Sequence, residues 1–253
     1  MRLNGKVAVI TGGAAGIGKG IVTTFAREGA KVIFLDIQEE KGFALEKAIR
    51  DAGGEATFIR TDVTAWSETE NAVKKTVEKY GRIDVLVNNA GGGGFFWLHE
   101  MDDENDFDFT FNLNIKSYFR MCKLVIPHML QNNGGSIVNI ASVGGITGMP
   151  KQSAYGATKA AEIEFTRTVA VEYATRNIRC NAICPGAIRT ELVPPGSEIE
   201  EKILSIVPVK RMGTPEEIAS AAVFFASDEC LHCNGASLAV DGGITCGPCI
   251  PNE

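Results

Sequence analysis

Tyr155 and Lys159 stand four residues apart in the run Tyr155-Gly156-Ala157-Thr158-Lys159, a spacing that puts two side chains on one face of a helix. A free phenol titrates near ~10, and an ammonium beside it favours the phenolate and draws that ionisation toward working pH. Such a tyrosine can take a proton from an alcohol or return one to a ketone. The same spacing also describes an ordinary helix surface pair, so the assignment needs company. Ser142 lies thirteen residues earlier, at the end of a β-branched run. In a parallel sheet the carboxyl ends of strands face the ligand crevice, so Ser142 can bring a hydroxyl to the substrate oxygen. Asn114 lies in a long helical pattern before that run. It reads either as a polar residue on a solvated face or as the holder of a water in a proton relay.

A second cluster suits phosphate. The first apolar run leads into Thr11-Gly12-Gly13-Ala14-Ala15-Gly16-Ile17-Gly18 and then a helical pattern. Glycines allow a tight turn and a close backbone approach to a pyrophosphate, and the helix N-terminus supplies free N–H groups. The spacing Gly12-x3-Gly16-x-Gly18 differs from GxGxxG, and a glycine-rich turn can be only a turn. Asp36 ends the second run, 18 residues after Gly18. A carboxylate there can accept from both hydroxyls of a ribose and would repel the 2′-phosphate of NADP. No basic residue stands at Ala15 or Ile37 to attract that phosphate, so NAD is the expected cofactor. The alternative for Asp36 is a solvated acid at a strand end.

These residues need a scaffold that gathers strand ends. Strand-like runs occur at Lys6–Thr11, Lys31–Asp36, Thr57–Asp62, Ile83–Asn88, Ser136–Ser142, Ile178–Cys184 and Ser237–Val240. Helical patterns fill Gly16–Glu28, Glu39–Ala52, Ser67–Tyr80, Glu104–Gln131, Ser153–Thr175 and Pro215–Ala226. Several of the runs are apolar nearly throughout, as strands covered on both faces are. The alternation predicts an α/β fold, a doubly wound parallel sheet with helices on both faces. No linker or repeat divides the chain, so residues 1–253 are expected to form one domain. A lid is expected at 191–207, carrying Pro194-Pro195-Gly196 and then an amphipathic piece, Glu198–Ile206, and a tail at 244–253.

Taken in order, Thr11-Gly12-x3-Gly16-x-Gly18, Asp62-Val63, Asn88-Asn89-Ala90-Gly91, Asn114, Ser142, Tyr155-x3-Lys159, Pro185-Gly186, Thr190 and Val240-Asp241-Gly242-Gly243 resemble the short-chain dehydrogenase/reductase family along essentially the whole chain. The resemblance implies a Rossmann-type sheet of seven strands, an NAD(P)-linked alcohol dehydrogenase or ketone reductase, and a homotetramer. It implies that Asn114, Ser142, Tyr155 and Lys159 form the catalytic tetrad. It gives the cofactor to Gly12, Ala15, Gly16, Ile17 and Gly18 at the pyrophosphate and to Asp36 at the ribose. Asp62 and Val63 would hold the adenine, Asn89 a ribose, and Ile188 and Thr190 the carboxamide end, with Gly91, Pro185 and Gly186 also at the cofactor. Tyr155 and Lys159 would also touch the nicotinamide ribose, and Asn88 would tie neighbouring strands.

The bulk properties fit a small-molecule enzyme. A chain of 253 residues with 45% hydrophobic and 22% charged side chains is ordinary for a globular fold. A net charge of −6 with no basic run argues against nucleic acid. There is no secretory signal pattern and no apolar run of ~18 residues, so no membrane span and a cytoplasmic location are expected. Residues 92–99 form a glycine run followed by Phe95, Phe96 and Trp97. These aromatics either face an apolar substrate or dock on the protein's own surface. The substrate is read as a hydrophobic or cyclic, hydroxysteroid-like secondary alcohol. A 3-oxoacyl thioester, a sugar or polyol, and a dinucleotide sensor without turnover stay open. Seven cysteines include Cys230-Leu231-His232-Cys233 and Cys246-Gly247-Pro248-Cys249. Two CxxC pairs would normally indicate zinc, but the strand Ser237–Val240 lies between them, so the tail would have to fold back to close a site. Free cysteines and no metal are therefore expected, with an intersubunit disulfide or metal site as the alternative.

Overall fold

The strand–helix alternation folds as β1 (Val7–Thr11), α1 (Gly16–Arg27), β2 (Lys31–Asp36), α2 (Glu39–Asp51), β3 (Glu55–Arg60), α3 (Trp66–Tyr80), β4 (Val85–Asn88), α4 (Ser117–Gln131), β5 (Gly135–Ile140), α5 (Ser153–Tyr173), β6 (Ile178–Pro185), α6 (Glu198–Ile206), α7 (Pro215–Ala226) and β7 (Ser237–Val240). The computed structural model describes residues 1–191, 193 and 195–247. All seven strands lie parallel in one sheet, in the order β3-β2-β1-β4-β5-β6-β7.

The apolar strands are covered on both faces, as their composition requires. Ala8, Ile10, Val32 and Phe34 join one buried cluster with Ile21 and Phe25 of α1 and Ile218 and Val223 of α7. The alternate residues Val7, Val9, Ile33 and Leu35 point the other way, toward Val73 of α3 and Met121, Val125 and Met129 of α4. The period of two along each strand therefore sorts its side chains into two helix layers.

Several boundaries shift from the sequence expectation, β3 starting at Glu55 and β4 at Val85 among them, and three of the differences touch the site. β3 ends at Arg60 rather than Asp62, so Asp62 opens a turn, its Oδ1 accepting from Thr64 N and Oγ1 at 2.8 and 2.7 Å. β5 ends at Ile140 rather than Ser142, because Ser142 Oγ accepts from Gly144 N at 3.0 Å and starts a tight turn over Val143–Gly145. The expected long helix Glu104–Gln131 is interrupted. Wide π turns occupy Asp103–Asp108 and Asn112–Lys116, with one α-helical turn, Phe109–Phe111, between them. By contrast, the amphipathic piece of the lid is helical over the expected residues, Glu198–Ile206. Leu192 and Pro194 of the lid lie outside the described residues.

Among the described residues no helix is long and apolar enough to cross a membrane, and no group of three or more His, Cys, Asp or Glu could hold a metal ion. Cys230 is buried and Cys233 partly so, both as free thiols. Cys246 is exposed and free, while Cys249 of the second CxxC pair lies outside the described residues. Thr245 N and Oγ1 donate to Asp241 Oδ2 at 2.8 and 2.7 Å, anchoring the chain before that pair. Truncation after Thr245 should leave turnover intact under reducing conditions. Stoichiometric zinc in the full chain, lost together with activity on truncation, would contradict this.

Candidate active site

The strand order reverses at β1, whose neighbours are β2 and β4. The carboxyl ends at such a switch point leave a crevice for a ligand, and the glycine-rich turn fills its floor. Gly12 has φ +65° and Gly16 φ +52°, conformations that cost a side chain dearly. A methyl on Gly18 would lie 1.9 Å from Gly12 O, so the turn admits no larger residue there. Thr11 Oγ1 accepts from Asn89 N and Ala90 N at 2.9 and 3.0 Å, and Asn89 Nδ2 donates to Thr11 O and Gly12 O at 3.0 and 2.9 Å. Asn89 is thus a strut for the turn. Ala15 caps α1 without a side-chain acceptor, which leaves the first-turn N–H groups open to an anion.

Asp36 is 7% exposed, which removes the solvated-acid alternative. Its Oδ2 accepts from Ala14 N at 3.0 Å and its Oδ1 from Gln38 N at 2.9 Å. Oδ2 keeps acceptor capacity for a ribose hydroxyl, and Oδ1 gains it when the long Gln38 Nε2 contact at 3.4 Å is exchanged, so the carboxylate fits a nicotinamide dinucleotide. Val63 is buried beside Asp62. Across the crevice, Pro185 ends β6 and Gly186 N donates to Val240 O at 3.1 Å. Ile188 forms a parallel bridge with Gly213. Thr190 comes down over the turn, its Cγ2 3.5 Å from a methyl placed on Gly16.

Ser142 and Tyr155 converge. A methyl placed on Gly144 would lie 3.4 Å from Ser142 Oγ, 3.4 Å from Gln152 Oε1 and 3.5 Å from Tyr155 Cε1. Lys159 sits behind, with its Nζ 5.6 Å from the Tyr155 ring centroid. Asn114 is fully buried, contrary to the solvated-face alternative. Its Nδ2 donates to Thr158 Oγ1 at 2.8 Å and Gly92 O at 3.0 Å, and its Oδ1 accepts from Gly92 N at 2.9 Å. The wide turn Asn112–Lys116 rotates it inward, a use of π geometry common at functional sites. A methyl on Gly91 would lie 3.0 Å from Asn114 Oδ1 and 3.2 Å from Lys159 Nζ, so the glycine run lets the backbone pass close to both. Asn88 Nδ2 donates to Asn139 Oδ1 at 2.8 Å, tying β4 to β5.

Three neighbours escaped the sequence reading: Thr158, Gln152 and above all Glu162. The Glu162 carboxylate is fully buried and takes Lys159 Nζ at 2.9 and 3.1 Å. Burial pushes its carboxyl up to about 7, with Lys159 pulling the other way. Burial works to lower Lys159, yet Glu162 and Tyr155 outweigh it and hold the amine above its ordinary value. The raised carboxyl carries a stability consequence. A carboxyl that keeps its proton longer when folded contributes stability below its unfolded value near 4.5, and loses it as pH rises through about 7. Between these limits folding stability should fall with pH, by at most about 1.4 kcal/mol per unit, and Glu162→Gln should flatten the slope. Denaturant melts at pH 5, 6 and 7 check it; an equal slope in both proteins would contradict it.

Around the mouth, Phe95, Trp97 and Leu98 are 69%, 48% and 73% exposed; Phe95 is largely in solvent, while Trp97 lies against the protein's own Lys151, whose Nζ is 5.1 Å from its ring centroid. Phe96 N donates to Lys151 O at 3.0 Å, which joins this loop to the segment before α5. Gly93 lies against Tyr155, whose Cβ is 3.3 Å from a methyl placed there.

Comparison with known proteins agrees with this architecture. Residues 12–245 match a family model described as enoyl-(acyl carrier protein) reductase. A 3-oxoacyl-[acyl-carrier-protein] reductase of Thermotoga maritima is 44% identical over 96% of this chain and 99% of its own. A 7alpha-hydroxysteroid dehydrogenase of Escherichia coli K12 is 39% identical over 96% of this chain and 95% of its own. A solved 7α-hydroxysteroid dehydrogenase, complexed with NADH and 7-oxo glycochenodeoxycholic acid, superposes with TM-score 0.91 at 39% identity, covering 96% of this chain and 95% of the other.

Proposed function

The chain belongs to the short-chain dehydrogenase/reductase family of oxidoreductases, and from that premise we propose that it moves a hydride between NAD(H) and a hydrophobic or cyclic, hydroxysteroid-like secondary alcohol or its ketone. The bound nicotinamide supplies the hydride acceptor or donor. Tyr155 Oη exchanges the substrate proton. Ser142 Oγ, close to the same point in front of Gly144, holds the substrate oxygen in position for that exchange. Lys159 supplies positive charge behind the phenol. Asn114 locks the glycine loop through Gly92 and Thr158. Asp36 and the turn from Gly12 through Ala15, Gly16, Ile17 and Gly18 hold the adenosine half, joined by Asp62, Val63 and Asn89. Gly91, Pro185, Gly186, Ile188 and Thr190 border the nicotinamide half.

The observation that carries this reading is the convergence of Ser142 and Tyr155 at one point with the Lys159 ammonium behind them. The exposed Phe95, Trp97 and Leu98 favour an apolar substrate, and the NADH-bound hydroxysteroid dehydrogenase is a relative of the same shape. The Thermotoga relative favours a second reading, reduction of a 3-oxoacyl thioester. That reading calls for cations near the lid to meet a carrier's phosphate. Arg211 is engaged by Glu217 at 2.6 and 3.0 Å, and Lys210 Nζ donates to Ser205 O at 3.2 Å. The test is a panel of hydroxysteroids, cyclic alcohols, polyols and 3-oxoacyl thioesters, each with NAD(H) and NADP(H). The highest kcat/KM is expected with a hydroxysteroid-like alcohol and NAD; a 3-oxoacyl thioester with NADPH as best pair would replace this proposal by the second. A homotetramer is proposed as well, since Phe119 of α4 and Val171 of α5 stand open to solvent in the single chain.

A further inference from the structure

We propose that Glu162 is a positioning residue: it is the buried counter-ion that fixes the Lys159 ammonium and tempers its field, and so sets the pH at which Tyr155 forms the active phenolate. The inference rests on the proposed role of Tyr155 as acid/base and adds to it a group that lies one helical turn behind the lysine. Three observations support it. Both carboxylate oxygens of Glu162 accept from Lys159 Nζ, at 2.9 and 3.1 Å, and the third contact of the amine is Ile140 O at 3.0 Å. These contacts account for the three donors of an ammonium. Neither member reaches solvent: Glu162 is 0% and Lys159 3% exposed, so water does not screen the pair. Thr166 Oγ1 donates to Glu162 O at 2.7 Å and receives Asn139 Nδ2 at 2.8 Å, which ties this part of α5 to β5.

The groups around the pair leave Glu162 as its negative charge. From α4, Tyr118 faces Lys159 with its ring centroid 5.4 Å from Nζ, and its hydroxyl donates to Ile140 O at 2.9 Å. Burial holds that phenol well above its ordinary value. From β6, Cys184 faces the pair as a thiol pushed up to about 11 by burial. From α5 itself come Tyr155 and, more distantly, Arg167, whose guanidinium pairs with Glu164 at 3.0 Å. Tyr118 and Cys184 are therefore neutral across the pH range of alcohol oxidation. With Glu162 ionised, forming the Tyr155 phenolate puts two negative charges around one ammonium in a dry pocket. With Glu162 neutral, the same step leaves one of each sign. The carboxylate thus keeps Lys159 charged and holds the phenolate back to more alkaline pH than an unopposed lysine would allow.

The direct test needs no dinucleotide. The chain has four tyrosines, so ultraviolet titration of the phenolate band, taken as the difference between the parent and Tyr155→Phe, isolates Tyr155. Repeated in the Glu162→Gln background, the midpoint should move toward acid by about one pH unit or more, the size of effect a charge at this range exerts. The rising limb of alcohol oxidation with NAD should move in the same direction. Glu162→Asp retains the charge but draws it back by one methylene, and should give a smaller acid shift; it carries the test alone if Glu162→Gln does not fold. An unmoved or alkaline-shifted midpoint in a folded variant overturns the role of Glu162. If that happens while Tyr155→Phe is inactive, the acid/base reading survives and only this inference falls. Conversely, Tyr155→Phe with normal turnover sinks both.

Discussion

Tyr155→Phe should bind NADH like the parent while kcat falls by at least the ~10²–10⁴-fold typical of losing a general acid or base. The substitution keeps the ring and its packing against the glycine loop, and removes the hydroxyl placed to exchange the substrate proton. The Gly12–Gly18 turn and Asp36 stand at the ends of other strands, so dinucleotide binding, followed by fluorescence titration, serves as the control for folding. The pH profile supplies a second arm: Lys159→Met should abolish or displace the rising limb of alcohol oxidation. The structure explains why that variant should still fold. Removing one partner of a buried ion pair ordinarily leaves a costly lone charge, but the Glu162 carboxyl is already pushed up to about 7 by burial. It can take up a proton and become neutral when the ammonium is gone. A Tyr155→Phe enzyme with near-parent turnover would require another proton donor at the point in front of Gly144.

What the sequence made legible follows the periodicities of its elements. Asp36 and the glycine turn are readable because each sits where an apolar strand stops, and strand ends in a parallel sheet converge. Tyr155 and Lys159 are readable because helical spacing alone puts them on one face. Ser142 is reached by the same logic, yet the strand stops at Ile140: the hydroxyl caps Gly144 N and begins a turn, an event of local hydrogen bonding that β-propensity does not encode. Asn114 shows a deeper limit. A window of 3.6-residue periodicity runs smoothly through Glu104–Gln131, while the backbone opens into π turns that bury the asparagine against Gly92 and Thr158. Those partners lie 22 and 44 residues away, and nothing local announces them. Glu162 is the instructive omission. A Glu three residues after a Lys normally reads as an exposed surface pair, and Glu164 with Arg167 is one. Only the packing of α5 against β5 and α4 distinguishes a dry pair from a wet one.

The double substitution Asp36→Asn with Ile37→Arg should turn the cofactor preference from NAD toward NADP, lowering the NAD:NADP ratio of kcat/KM by about 10²-fold. That is the scale of a charge repulsion removed and one charged hydrogen bond to phosphate gained. Asp36→Ala with Ile37→Arg would move the ratio in the same direction but at a cost in stability. Asp36 Oδ2 accepts from Ala14 N in the glycine turn at 3.0 Å, and alanine would strand that donor, a loss of about 1–3 kcal/mol for a buried N–H. Asparagine keeps an acceptor for Ala14 but loses, with the charge, the second oxygen that accepts from Gln38 N at 2.9 Å. Ile37 is 62% exposed, so an arginine there displaces no core contact and can reach beyond the strand end. Melting temperatures should therefore be highest in the parent, lower in the double variant with asparagine, and lowest in the double variant with alanine, while both variants gain activity with NADP. If the parent already turns over faster with NADP than with NAD, Asp36 does not face the ribose, and its carboxylate serves only to tie the glycine turn to the end of β2.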